Sequence, residues 1–169
     1  MSKQGTDSIE KRMFFLLIIG IIPLFIILII HLNNPDALIL NEFAATFKNL
    51  PTITSNKSLL MSKAMDIYCK ASPLLALLFI AVSYRHFEFK KIMTTQKLVW
   101  VFILFSALYF TITTLLLAHN KELNDSRNWL KVISENDYLL TFFYISIFSV
   151  CYIFTVYYLS FIISFFKGK

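Results

Sequence analysis

The residues of this chain that could do chemistry are few, and their spacing settles what they can do. Its three histidines, His31, His86 and His119, stand far apart, and the two cysteines, Cys69 and Cys151, form no CxxC. A zinc or haem site needs ligands at fixed short intervals, as in HExxH or CxxCH, and neither string occurs. His31 and His119 both end apolar runs on the same expected side of the molecule, but no third ligand accompanies them, so all three histidines read as solvated interfacial groups. The cysteines read as packed thiols. Three glycines in the whole chain leave no phosphate-cradling loop, and no GxSxG is present. Glu135 and Asp137 are a close carboxylate pair within an acidic loop, where solvated charges are the default. These residues predict a protein that is not an enzyme, with no catalytic residue, no metal and no cofactor. One charged pair remains. Asp66 and Lys70 are spaced i,i+4 with the acid first, the favourable order for a helical ion pair, and they read as a structural pair at a helix entrance.

The elements that carry these residues follow from composition. Apolar residues make up 57% of 169 and charged residues 15%, with a mean hydropathy of +0.68. Soluble domains carry about 25% charged residues, so a water-exposed surface cannot be built from this chain. A bilayer core about 30 Å thick needs roughly 20 apolar residues in helix. Met13–Leu32, Leu98–Ala118 and Tyr138–Phe166 meet that length without a charge. The first reads as a retained span rather than a signal peptide, because it is too long and no small-x-small site follows it. The apolar stretch 71–84 is too short to span alone and is extended backward, as a helix from Ser58 (a plausible N-cap) to Tyr84 with a kink at Pro73. The expectation is an all-α membrane protein, residues 1–169 forming one domain of four transmembrane helices with spans at about 13–32, 65–84, 98–118 and 138–166. Between the first two, 37–47 is expected as a short helix lying on the membrane with Leu38, Leu40, Phe43 and Phe47 down.

Orientation comes from the basic residues. The N-terminal segment, the loop between helices two and three and the C-terminus hold nine bases and three acids, whereas the other side, taken as 33–70 plus 119–137, holds seven of each. The whole net charge of +6 therefore lies on one face. That face is expected to be cytoplasmic, with both termini, which makes the charge a topology signal and excludes nucleic acid as a partner. The outer face then carries the long connections 33–57 and 119–137, the second with Trp129 as an interfacial anchor. Helix four holds 12 aromatics among 29 residues, interleaved with Ser149, Thr155, Ser160 and Ser164. Large rings beside small hydroxyls suit close packing against other helices. No charge occupies the middle of helices one, three or four, so a small transporter is the weaker alternative, as is a structural subunit of a membrane complex.

Specific strings go further. IIGIIPL at 18–24, PDALIL at 35–40, NLPTITS at 49–55, LMSKAMDIYCKASP at 60–73 and ENDYLLTFFYI at 135–145 resemble, in order and through most of the chain, the immunity proteins of pore-forming colicins, most closely the colicin A/B type. The resemblance implies a plasmid-encoded bacteriocin immunity protein of the bacterial cell inner membrane, multi-pass, with both termini cytoplasmic. It implies that the chain binds the inserted pore-forming domain of its cognate colicin through that domain's hydrophobic hairpin and blocks channel opening, which protects the producing cell. Partners would then be the colicin and the lipid bilayer, with a homodimer left open. After Glu122-Leu123 this chain departs from the family's Thr-Thr-Ala-Gly-like turn with Asn124-Asp125-Ser126-Arg127-Asn128. Candidates for toxin recognition are therefore Asp125, Arg127, Asn128 and Lys131 in that loop, with Phe142, Phe143 and Tyr144 in the first turns of helix four.

Overall fold

The computed structural model describes residues 3–83, 95–124 and 128–167. The basic loop holding Arg85, His86, Lys90 and Lys91 lies outside the described residues, as do Asp125 and Arg127. Among the described residues seven helices follow one another: α1 (Lys3–Asn33), α2 (Leu38–Thr46), α3 (Leu59–Cys69), α4 (Ser72–Ser83), α5 (Thr95–Leu117), α6 (Asn128–Ser134) and α7 (Asp137–Lys167). Two short strands, β1 (Ile53–Thr54) and β2 (Lys121–Glu122), pair in parallel. Four stretches among the described residues are long and apolar enough to cross a membrane: Ile9–Asn33, Leu59–Ser83, Val99–Leu117 and Asp137–Ile163.

The second stretch is broken where its sequence requires it. Pro73 has no N–H, so the Cys69 carbonyl loses its i+4 donor. The chain tightens before the gap: the Lys70 N–H donates to both Asp66 O (3.3 Å) and Ile67 O (3.2 Å), and the Ala71 N–H to Tyr68 O (2.9 Å). Helical bonding resumes when Leu74 and Leu75 donate to Ala71 O at 3.0 and 3.2 Å. Ser58, expected as an N-cap, makes no side-chain cap bond. The cap appears instead at α7, where Asn136 Oδ1 accepts from the backbone N–H groups of Tyr138 (3.0 Å) and Leu139 (3.2 Å).

α7 is the hub, packing against α4, α1, α5, α3 and α6. Its inward residues Leu140, Tyr144, Phe148, Cys151 and Tyr152 form the core with Leu24, Met61, Met65, Cys69 and Phe79. Close approach of α1 depends on Gly20: a Cβ there would lie 2.6 Å from Leu75 Cδ2 and 2.8 Å from Phe148 Cζ. Tyrosines tie the elements together, with Tyr68 Oη donating to Gly20 O (2.8 Å) and Tyr152 Oη to Met13 O (3.2 Å). In hydrocarbon a hydroxyl has no water to turn to, so these bonds both satisfy the group and fix helix register. Outward faces are apolar, as at Phe14, Phe15, Ile18, Phe25 and Ile29 on α1.

α5 is the least buried of the four long apolar stretches. It leans on α7 through stacked rings, Phe102 and Tyr109 on Tyr158 and Phe102 on Phe161. Ser106 donates to Tyr158 Oη at 3.3 Å. The short helix α2 packs on α3, burying Leu40 and Ala44, with Phe43 half-buried, while Leu38 stays exposed. The four apolar residues expected on one face of 37–47 thus divide between protein and surroundings.

Candidate functional site

One end of the bundle carries both long connections, and the chemistry of the first decides the shape of the second. The segment 52–58 is mostly polar, yet its Ile53, Ser55 and Ser58 are buried. It runs extended along β2. Lys121 N–H donates to Thr52 O (3.3 Å) and Leu123 N–H to Thr54 O (2.9 Å). Two asparagines bracket these bonds: Asn120 Oδ1 accepts from the Thr52 N–H at 2.7 Å, and Asn124 Oδ1 from the Asn56 N–H at 2.9 Å. Both residue pairs are four apart, so one register satisfies all of them.

The same segment also holds the far end of the second connection. The buried Ser55 hydroxyl donates to Ser134 O at 2.7 Å, and Lys57 Nζ to Glu135 O at 2.6 Å. Ser58 Oγ, freed from capping, donates to Asp137 Oδ1 at 2.5 Å. Beneath them Tyr144 Oη donates to Ile53 O at 2.7 Å, and Ser62 Oγ accepts from the Ser55 N–H at 3.0 Å. Buried backbone groups of a two-residue strand are thereby satisfied from both loops and from α7.

Among the residues singled out from sequence, Asn128 opens α6 and Lys131 stands exposed in its last turn. Phe142 is 61% exposed, whereas Tyr144 is 0% exposed and Phe143 lies between them, edge-on to Tyr144 at 5.5 Å. Trp129, Val132 and Tyr138 are exposed at the same end. So Phe142 and Lys131 are available to a partner, while Tyr144 supports the loops from within the core. Asp125 and Arg127 fall outside the described residues.

Further down, Lys70 Nζ is ion-paired with Asp66 Oδ2, with Asp66 fully buried and Lys70 partly so. Asp66 Oδ1 has no hydrogen-bond partner among the described residues. His31 is buried and His119 exposed, and no group of three His, Cys, Asp or Glu among the described residues is placed to hold a metal. Sequence reasoning missed Asn120, Asn124 and Ser55; the only trace of the bracket in the sequence is the equal spacing of the asparagine pair.

Comparison with known proteins matches residues 36–169, which include the hydrogen-bonded segments 52–58 and 120–137, to the colicin immunity protein family. The chain is 35% identical to the colicin-A immunity protein of Citrobacter freundii over 93% of its own length and 90% of the relative's. It is 29% identical to the colicin-B immunity protein of Escherichia coli, over 87% of this chain and 84% of that one. No solved structure matches. With four helices among the described residues fit for a membrane and a match across most of its length, the chain belongs to the colicin immunity protein family.

Proposed function

We propose that this protein binds the inserted pore-forming domain of a cognate colicin of the A/B type in the bacterial inner membrane and keeps its channel closed. The observation that carries this reading is the family match over 36–169, joined by relatives named for colicins A and B. The physics fits the role. Lipid tails are as apolar as leucine, so helices pair in a membrane through packing, interhelical hydrogen bonds and loop contacts rather than by hydrophobic drive. The loop end offers such contacts, with exposed Phe142, Trp129 and Lys131 at the end where 52–58 is hydrogen-bonded to 120–124 and 134–137. Blocking a pore needs no turnover; a differential affinity of about 5.5 kcal/mol for the closed state moves a two-state equilibrium from 1:99 to 99:1. The basic side of the chain, with both termini, faces the cytoplasm, and the loop end faces the periplasm where the toxin arrives.

The test is a killing assay. Sensitive cells expressing the chain are challenged with a panel of purified pore-forming colicins of the A/B type. Tolerated titre rises for one toxin by about 100-fold or more and stays unchanged for the rest, as expected when correct and wrong partners differ by a few kcal/mol. Uniform sensitivity in cells that hold the protein in the membrane sinks the reading.

A further inference from the structure

The end of the bundle opposite the hydrogen-bonded connections holds a concavity that the fold leaves open. Among the described residues α5 packs substantially on α7 alone, so it stands off from the other helices. A cleft of about 480 Å³ follows, walled by Val101 and Phe105 of α5 and by Ile153, Phe154, Tyr157 and Phe161 of α7. Val101 and Phe105 are one helical turn apart, as are Ile153, Tyr157 and Phe161 in succession, so each helix gives the cleft one stripe. The walls are set before anything enters: Phe161 stacks on Phe102 and meets Phe105 edge-on, both at 6.0 Å. Tyr157 is 57% exposed, and its hydroxyl has no hydrogen-bond partner among the described residues. From Asp137 to Tyr157 α7 rises about 30 Å at 1.5 Å per residue, close to the thickness of a hydrocarbon core. On the proposed orientation the cleft therefore opens at the inner edge of the membrane.

We propose that this cleft receives the inner end of one helix of the toxin's inserted domain, with Tyr157 Oη donating to a carbonyl at that end. The proposal rests on the reading that the chain binds the inserted pore-forming domain, and adds where in the membrane that domain is held. Backbone in hydrocarbon must be paired internally, as helix or closed barrel, and only a helix is narrow enough for a furrow between two helices. A helix that descends to the inner edge and turns back leaves its last four C=O groups without intrahelical donors. An apolar cleft with a free phenol answers both needs of such an end. The walls take its side chains, and the hydroxyl takes a carbonyl. Hydrocarbon tails would coat the same walls but carry no acceptor for the phenol. Rings already stacked lose little freedom when a helix seats against them.

The test uses the full chain in the killing assay, with the panel colicin that it neutralises, at measured membrane level. Val101→Trp fills the cleft from a residue already 39% exposed and is expected to lower the tolerated titre at least about tenfold. Ile103→Trp adds bulk on the opposite side of α5, where the side chain is 51% exposed, and is expected to protect as the parent does. Tyr157→Phe keeps the ring and removes one hydrogen bond, for an expected loss of about three- to tenfold. Contact is read directly by placing the photo-cross-linker p-benzoylphenylalanine at 157 or, as a control, at 103, in cells challenged with the toxin. A cross-link from 157 to the pore-forming domain, mapped by mass spectrometry to the end of a membrane helix, is expected, and none from 103. Adducts from 157 to lipid alone overturn the proposal, and this readout holds even if Val101→Trp accumulates poorly. Full protection by Val101→Trp at parental level also overturns it, as does equal loss in Val101→Trp and Ile103→Trp. Parental protection by Tyr157→Phe removes the role given to the hydroxyl. The broader reading fails differently: a parent chain that protects against no toxin of the panel sinks both, whereas a protecting parent matched by Val101→Trp loses only the cleft.

Discussion

At the scale of single residues, the buried Asp66–Lys70 pair decides more than any group that resembles a catalyst. Asp66 is fully enclosed and Lys70 supplies its only ion-pair partner among the described residues. An isolated carboxylate in such a place is costly, and breaking a buried pair by removing one partner typically costs about 3–5 kcal/mol, whereas replacing both charges with apolar groups is often neutral. Lysine 70 is 16% exposed, which puts the loss toward the lower end. Lys70→Leu is therefore expected to reduce the amount of protein in the membrane several-fold, and the double change D66L/K70L to recover most of it; quantitative immunoblotting of membrane fractions checks both. Equal loss in the two variants means that the charges serve contact or conduction instead of neutralising each other. The residue scale is also where the sequence was least legible. Phe142, Phe143 and Tyr144 are consecutive, and successive helical residues turn by about 100°, so three in a row cannot share one face. The structure divides them accordingly, with Phe142 outward and Tyr144 inward on Ile53 O.

At the scale of elements, long apolar runs make a loud signal because the bilayer demands length, and four such helices stand where the runs are. The break between α3 and α4 was legible too, since Pro73 removes one named donor. What stayed hidden depends on partners distant in the chain. Ile53–Thr54 and Lys121–Glu122 are too short to show any period, and only their pairing makes them strands. Ser58 has the type of an N-cap, but Asp137 takes its hydroxyl. Helix packing shows the same dependence at Gly20, whose role comes from Leu75 and Phe148 across the interface. A methyl at that site meets the tip of the Leu75 side chain, which can move, and the Phe148 ring, which is buried and held. Gly20→Ala is expected to cost about 1–3 kcal/mol as an overpacked core, and Gly20→Leu to prevent α1 from docking. Resistance of the membrane-bound protein to added protease reads the difference: graded loss from alanine to leucine is expected, and wild-type resistance in Gly20→Leu would show that α1 does not depend on this contact.

At the scale of the whole molecule, a single asymmetry organises the rest. In sequence the whole net charge of +6 falls on the segments that include the termini, whereas the hydrogen-bonded connections 52–58 and 120–137 join the opposite ends of the helices. On the proposed orientation a toxin arriving from the periplasm meets the loop end first, and toxins of similar hairpins would be told apart by side chains that reject a wrong partner through clashes or unpaired charges. The segment 119–142 holds the departure from the family turn, the exposed Lys131 and the exposed Phe142. Because Asn120, Asn124, Ser134 and Asp137 are hydrogen-bonded to 52–58, the transferable unit is the two segments together. Placing 52–58 and 119–142 of this chain into the colicin-A immunity protein of Citrobacter freundii is expected to confer protection against this chain's own toxin, and to weaken protection against colicin A. Placing 119–142 alone is expected to do so only as far as the host's first connection offers the same backbone donors to Asn120 and Asn124. Exchange of the basic loop 85–97 is expected to transfer nothing, since its charge already has a cause in orientation. The measurement is tolerated titre of both toxins for each chimera at matched membrane level. Protection that follows the basic loop and not the hydrogen-bonded end would place recognition on the cytoplasmic side, where the arriving toxin is met only after it has crossed.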